Sequence, residues 1–222
     1  MHRILVLDNI AQEGLDILEA SPNVEYEVRT GLSGEDLRTA LNEFDGAILR
    51  SGVKITPESL EGNTRMRALV RAGVGTDNID KPAATRRGIV VMNTPAGNTV
   101  STAEHAFALL LALSRNIPAA NQSLVEGRWD RKKYMGTQVA GKTLGIVGMG
   151  RIGREVAARA IAFDMKVIAF DPFLTDEQAS AIGVKRVATV DDMLPQIDYL
   201  TVHTPLTPET KGLISHAQLD KV

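Results

Sequence analysis

The segment Thr143-Leu144-Gly145-Ile146-Val147-Gly148-Met149-Gly150-Arg151-Ile152-Gly153 constrains this chain more than any other. An apolar run passes directly into Gly-x-Gly-x-x-Gly, and an amphipathic stretch, Arg154 to Phe163, follows. That order reads as strand, tight turn and helix. Each glycine has a mechanical role. Gly148 permits the turn, Gly150 lets a ligand approach the backbone, and Gly153 lets the helix pack on the strand. The helix N-terminus then offers free amides and a positive dipole end, which suit a phosphate. Glycine-rich turns also occur as plain tight loops, so the surroundings decide. The next strand, Lys166 to Phe170, ends at Asp171, 23 residues after Gly148, where a carboxylate accepts hydrogen bonds from an adenosine ribose diol. Strand, glycines, helix and spaced acid together predict dinucleotide binding. Asp171 also selects between cofactors, because a carboxylate repels a 2'-phosphate and Pro172-Phe173-Leu174 supply no arginine to clamp one. NAD is expected rather than NADP.

A further strand, Tyr199 to Val202, ends in His203-Thr204-Pro205. Ligands of open α/β sheets lie beyond the carboxyl ends of the strands, which places His203 and Thr204 at the same crevice. Two roles are open to His203, a cofactor contact or a proton donor, and its strand-end position favours the contact.

Upstream, short apolar runs alternate with longer amphipathic ones: Ile4 to Leu7 and Glu13 to Ala20, Val24 to Val28 and Gly34 to Phe44, Ala47 to Leu49 and Pro57 to Leu60. Ala68 to Val70, a short helix near Pro82 to Arg86, and Ile89 to Met92 continue the pattern. Such alternation predicts parallel strands joined by right-handed crossovers, with helices on both faces of the sheet. The turn-rich Thr94-Pro95-Ala96-Gly97-Asn98 ends this unit. In Ser101-Thr102-Ala103-Glu104 the hydroxyl and the carboxylate can cap a helix start reciprocally, so a long helix is expected from Ser101. Its apolar run suits a buried helix, and Pro118 is expected to end or kink it. The boundaries read as a domain over 1–97 and a second over 98–222.

The 222 residues, 44% hydrophobic and 23% charged, suffice for one large or two small domains. A formal charge of −2 and scattered Lys and Arg offer no basic field for nucleic acid. The longest apolar run, Ala106 to Leu113, falls far short of the ~20 residues that span a bilayer. The first residues lack the pattern of a secretion signal, so a cytoplasmic location is expected. With no cysteine, disulfides, thiolate zinc sites and cysteine nucleophiles are closed, and no metal is expected.

Other stretches carry a resemblance: Leu49-Arg50-Ser51, Val70-Arg71-Ala72-Gly73-Val74-Gly75-Thr76-Asp77-Asn78-Ile79-Asp80, Met92-Asn93-Thr94-Pro95 and Gly127-Arg128-Trp129-Asp130-Arg131-Lys132-Lys133-Tyr134-Met135-Gly136. With them the chain resembles the D-2-hydroxyacid dehydrogenase family over essentially its whole length. The last stretch is similar to the family members that oxidise 3-phosphoglycerate on the phosphorylated route to serine. The resemblance implies an α/β protein with a flavodoxin-like substrate domain followed by a Rossmann-type doubly wound parallel sheet, incomplete at its C-terminus. It implies Arg50 and Ser51 near the substrate, the backbone around Val74 and Gly75 receiving its carboxylate, and Asn98 at the hinge. Glycines at 73 and 75 let amides turn toward an anion, and Arg50 and Arg71 can complement a phosphate or carboxylate. Arg131, in the basic run Arg131-Lys132-Lys133, is expected to serve a phosphorylated substrate. Arg151 and Ile152 match the pyrophosphate pair, Asp171 the ribose acid, Thr204 and Pro205 the strand-end cofactor contacts, and Val74 a backbone cofactor contact.

In the family an arginine, a glutamate and a histidine perform the chemistry, and all three lie downstream of the stretch matching His203-Thr204-Pro205. The catalytic residues are therefore expected beyond Val222, none within residues 1–222, and the chain by itself is expected to be inactive. His2 is terminal, His105 lies on the long helix, and His216 matches an exposed helix start. Two rivals stand beside 3-phosphoglycerate oxidation: a reductase of glyoxylate, hydroxypyruvate or another 2-keto acid, and a non-catalytic NAD-sensing protein on the same fold. The basic run weighs against the first. A homodimer or higher homo-oligomer is expected through the helix from Ser101.

Overall fold

The computed structural model describes residues 1–221. Val222, which ends the second expected domain and beyond which the catalytic residues are expected, lies outside the described residues. The rest forms two compact units that divide between Asn98 and Thr99. In the first, strands β1 (His2–Val6), β2 (Val24–Val28), β3 (Gly46–Leu49), β4 (Ala68–Arg71) and β5 (Val90–Asn93) alternate with helices α1 (Gln12–Glu19), α2 (Gly34–Glu43) and α3 (Lys81–Arg86). All pairs are parallel, in the order β2-β1-β3-β4-β5. This is the flavodoxin-like order, with its switch point between β1 and β3. Leu5, Leu7, Ala47, Leu49 and Leu69 share one face by the period of two, and meet Leu37, Leu41, Phe44 and Leu60 in a single core. The segment at Pro57 is only a 3-10 turn, Glu58–Leu60. Asp80 starts α3 by accepting the Ala83 amide at 2.8 Å, with Pro82 in the first turn, where its missing N–H costs nothing.

The second unit opens with α4 (Thr99–Ser114) and α5 (Ile117–Val125) and continues through β6 (Thr143–Val147), α6 (Arg151–Ala162), β7 (Lys166–Phe170), α7 (Asp176–Ala181), β8 (Lys185–Arg186), α8 (Val190–Met193), β9 (Tyr199–Val202) and α9 (His216–Leu219). Its parallel sheet runs β8-β7-β6-β9. Counted from β6 this is the 3-2-1-4 order of the nucleotide fold, and the order reverses between β6 and β9. Both faces are covered. Leu144, Ile146, Val167 and Ala169 pack with Val156, Ala157 and Ala160 of α6 on one side, and Val147 and Ile168 pack with Val190, Met193 and Leu194 on the other.

Several local expectations are corrected. The long helix begins at Thr99, so Ser101 and Glu104 lie inside it and do not form its cap. It is not a buried helix: Ala103, Phe107 and Ser114 are buried, but Leu109 is 58% and Leu113 73% exposed. Phe107 anchors it against Phe163 in an edge-on ring pair 5.0 Å apart. Pro118 does not end that helix either; α4 stops at Ser114, Asn116 turns the chain at φ 53°, and Pro118 sits in the first turn of α5. Helix α6 starts at Arg151 with Gly150 as its cap, three residues earlier than expected, so that Gly153 lies inside the helix, where its missing side chain brings the first turn against Gly148.

Candidate functional site

The first unit carries a cavity of about 610 Å³ at the carboxyl ends of its strands. Arg50 and Ser51 follow β3, Arg71 closes β4, Val74 and Gly75 follow β4, and Asn98 lies beyond β5; all six line this one space. Ile10 and Ala11, after β1, complete the wall at the switch point. The loop after β4 is built by its hydrogen bonds. The Ala72 amide donates to Leu49 O at 2.8 Å, the Thr94 amide to Gly73 O at 3.0 Å, and Asn93 Nδ2 to Val74 O at 2.6 Å. Arg71 Nη1 donates to Gly75 O, and its buried Nε meets no partner among the described residues. The amides of Val74 and Gly75 likewise meet no acceptor among the described residues. Two guanidinium groups and two amides with unused donor capacity therefore border a single cavity, a chemistry suited to an anion.

In the second unit the glycine turn has the shape its sequence demands. Gly148 has φ 95°, a conformation closed to most side chains, and a Cβ there would stand 2.8 Å from His203 O. A Cβ on Gly153 would overlap the carbonyl of Gly148, so helix and turn touch backbone to backbone. Among the described residues nothing lies within 4 Å of the corresponding point on Gly150, and the amides of Arg151 and Ile152 open the first turn of α6. Asp171, at the end of β7, accepts the Met149 amide at 2.7 Å and the Phe173 amide at 2.8 Å. The carboxylate is thereby fixed beside the turn, with acceptor capacity remaining on both oxygens. Open space over Gly150, free first-turn amides and a fixed acid fit a dinucleotide. His203 is half-buried; its amide donates to Val147 O at 2.8 Å, its Nε2 lies 2.9 Å from Thr201 Oγ1, and burial lowers its pKa, favouring the neutral ring.

Arg131 is exposed and belongs to the second unit, where it lines a different cavity with Arg115, Arg128 and Trp129. Sequence reasoning also missed Asn93 as the residue that holds the Val74 carbonyl, although the strand-end rule could have found it. Among the described residues no cluster of acids and histidines could hold a metal ion, and no helix is long and apolar enough to cross a membrane.

Residues 107–222 match the family described as D-isomer specific 2-hydroxyacid dehydrogenase, NAD binding domain. A D-3-phosphoglycerate dehydrogenase of Archaeoglobus fulgidus is 47% identical over 99% of this chain and 41% of its own length. The chain thus spans about two fifths of the curated relatives it matches. Among solved structures, the NAD+-bound 3-phosphoglycerate dehydrogenase of Entamoeba histolytica superposes with a TM-score of 0.80 at 30% identity, covering 100% of this chain and 68% of that one. A NAD-dependent formate dehydrogenase of Staphylococcus aureus, in complex with NAD, superposes with a TM-score of 0.84 at 30% identity, over 100% and 70%. The matched domain is that of an NAD-dependent oxidoreductase, so NAD is the cofactor that the glycine turn and Asp171 suit. More than half of the chain matches this domain, and the chain belongs to the D-isomer specific 2-hydroxyacid dehydrogenase family.

Proposed function

We propose that this protein is an NAD-dependent dehydrogenase whose substrate is 3-phosphoglycerate, converted to 3-phosphohydroxypyruvate for serine synthesis. The carrying observation is the first unit's cavity, bordered by Arg50, Arg71 and the amides of Val74 and Gly75. Amides suit a carboxylate held close to backbone, and the Arg50 and Arg71 guanidinium groups give the acid's oxygens further charged donors. NAD supplies the hydride acceptor when bound. Residues of this chain then bind and orient: Arg151 and Ile152 present amides to the pyrophosphate, Asp171 takes the ribose hydroxyls, and Thr204 and Pro205 bound the crevice at β9. We assign His203 to the cofactor rather than to proton transfer, because its Nε2 is engaged by Thr201 Oγ1 and it stands at the carboxyl end of β9, where a nucleotide crevice lies. Asn98 is assigned to the hinge and Arg131, with Lys132 and Lys133, to the substrate phosphate.

Relatives named D-3-phosphoglycerate dehydrogenase support the substrate, while the formate dehydrogenase on the same fold leaves other acids open. Calorimetric titration in the presence of NAD separates these readings. Binding of 3-phosphoglycerate is expected to be at least about tenfold tighter than that of D-glycerate, since an extra charge-assisted bond contributes about 1.5–3 kcal/mol. Replacing Arg131, Lys132 and Lys133 together with Ala should remove that difference, and Arg50→Ala should weaken both ligands. Equal affinity in the parent chain would favour an unphosphorylated 2-hydroxy acid.

The same reading includes a homodimer. Leu109 and Leu113 of α4, Leu124 and Val125 of α5, and Trp129 are exposed, an apolar surface of the kind that two copies bury. Sedimentation velocity should return a dimer at micromolar concentration; a monomer there would remove it.

A further inference from the structure

The segment Arg50–Val53 leaves β3 without regular structure, yet it carries two residues that line the cavity. Its backbone is held by two side chains that are not among the lining residues. The Arg50 amide donates to Asp8 Oδ2 at 2.7 Å. The Arg50 carbonyl accepts from Asn78 Nδ2 at 2.7 Å, and the same amide group donates to Val53 O, also at 2.7 Å. Both peptide groups of Arg50 are thus fixed from outside its own loop, which leaves its guanidinium as the adjustable part. Asp8 comes from the end of β1, across the switch point, and Asn78 from the loop after β4. The Asn78 backbone carbonyl in turn accepts the Ile55 amide at 2.8 Å, and Ile55 and Ile79 form a parallel bridge. The loops after β1, β3 and β4 are therefore one hydrogen-bonded assembly.

We propose that Asp8 and Asn78 are positioning residues that hold Arg50 and Ser51 ready for an anionic ligand. This rests on the reading of the cavity as the substrate site. An unrestrained loop has to be ordered by the ligand at the moment of binding, and that cost is subtracted from affinity; a loop clamped beforehand avoids it. The residue types fit this role. A carboxylate at position 8 makes a charge-assisted bond to the amide. An amide side chain at 78 has two donors for two carbonyls, whereas a carboxylate there would confront both oxygens. Gly52 completes the arrangement, because a Cβ at that position would occupy the place of Asp8 Oδ1.

The test is calorimetric titration of the whole chain, in parent and variant forms, with 3-phosphoglycerate and separately with NAD, beside hydrogen exchange of the Arg50 amide. Asp8→Ala and Asn78→Ala are each expected to weaken 3-phosphoglycerate about tenfold while NAD affinity stays within about twofold. Asp8→Asn, which can still accept the Arg50 amide, is expected within about threefold of the parent. A merely structural role would lower both affinities together. Gly52→Ala displaces the clamp without removing either partner and should reproduce the Asp8→Ala loss, so the proposal stays open to test if an alanine variant fails to fold. Parent-like 3-phosphoglycerate binding in the Asp8, Asn78 and Gly52 variants, with binding lost in Arg50→Ala, overturns the positioning role. Parent-like binding in Arg50→Ala instead overturns the site. Hydrogen exchange in the ligand-free chain then decides the clamp by itself: faster exchange of the Arg50 amide in Asp8→Ala supports it, and unchanged exchange removes it.

Discussion

The two sheets are built alike at their amino ends and differently at their carboxyl ends. At the amino end, Asp45 precedes β3 and accepts the Arg3 amide of β1 at 2.7 Å, with Arg65 beside it. Asp198 precedes β9 and accepts the Thr143 amide of β6 at 2.8 Å, with Lys142 beside it. Each aspartate ties the central strand to its neighbour across the switch point. At the carboxyl end, the first unit shapes its loops with polar side chains on backbone, Asp8 and Asn78 on Arg50 and Asn93 on Val74. The second unit shapes its turn by omitting side chains at Gly148 and Gly153 and needs one acid, Asp171, to complete it. A turn defined by absent atoms is rigid because nothing else fits, while a loop defined by hydrogen bonds can be loosened one bond at a time.

The largest expected effect follows from that contrast. Gly153→Ala drives a Cβ into the Gly148 carbonyl, and backbone cannot step aside as a side-chain tip can. A loss of roughly 1–3 kcal/mol in urea unfolding is expected, with NAD binding abolished in calorimetry. Unchanged NAD affinity would show that the turn is not the cofactor's seat.

Asp171→Ala should be next. It frees the Met149 and Phe173 amides and removes the charge opposed to a 2'-phosphate. The preference for NAD over NADP should fall by about tenfold to a hundredfold, the value of a charge-assisted bond. A parent chain that binds both cofactors equally would break the assignment at once.

Asn93→Ala removes one bond of 2.6 Å to Val74 O. Roughly a fivefold to tenfold loss of 3-phosphoglycerate affinity is expected, with little change in NAD affinity. Equal losses for both ligands would mean that the loop after β4 serves stability instead.

The smallest effect compares the amino-end aspartates under acid. The Arg65 guanidinium, then the Arg3 amide, holds the Asp45 carboxyl down at about 2. A depressed carboxyl stabilises the fold above its unfolded value near 4 and loses that contribution as pH falls toward 2. Asp45→Asn should therefore flatten the acid limb of the unfolding curve by at most about 2 kcal/mol. The Asp198 carboxyl is also lowered, first by the Thr143 amide and then by Lys142, and Asp198→Asn should flatten the limb less because that pair is more exposed. Equal slopes in both variants and the parent would show that neither pair carries acid sensitivity.

Much of this could be read from residues. Strands over Val24–Val28, Thr143–Val147, Lys166–Phe170 and Tyr199–Val202 stand where the apolar period puts them: Thr143–Val147 and Lys166–Phe170 as near-continuous apolar runs buried in the sheet, and Val24–Val28, at the sheet edge, as an alternation of apolar and acidic residues. The exposed α4 could not be read that way. Its leucines satisfy the same pattern whether the chain's own core or another surface covers them, and burial is a property of neighbours, not of the run itself. Helices α7 and α8 are capped by Thr175 and Thr189, whose capping boxes with Gln178 and Asp192 were visible in sequence but too short to stand out.

By itself the sequence determined the two parallel sheets, the nucleotide turn and the acid beside it, because periodicity, glycine sterics and strand-end spacing all act over a few neighbouring residues. Only the tertiary structure decided that Arg50, Ser51, Arg71, Val74, Gly75 and Asn98 border one cavity, and that Asp8 and Asn78 hold its rim. Those contacts join positions 28 and 42 residues apart. Their partners are chosen by the strand order of the folded sheet, which brings the ends of β1, β3 and β4 side by side, and no local pattern records that choice.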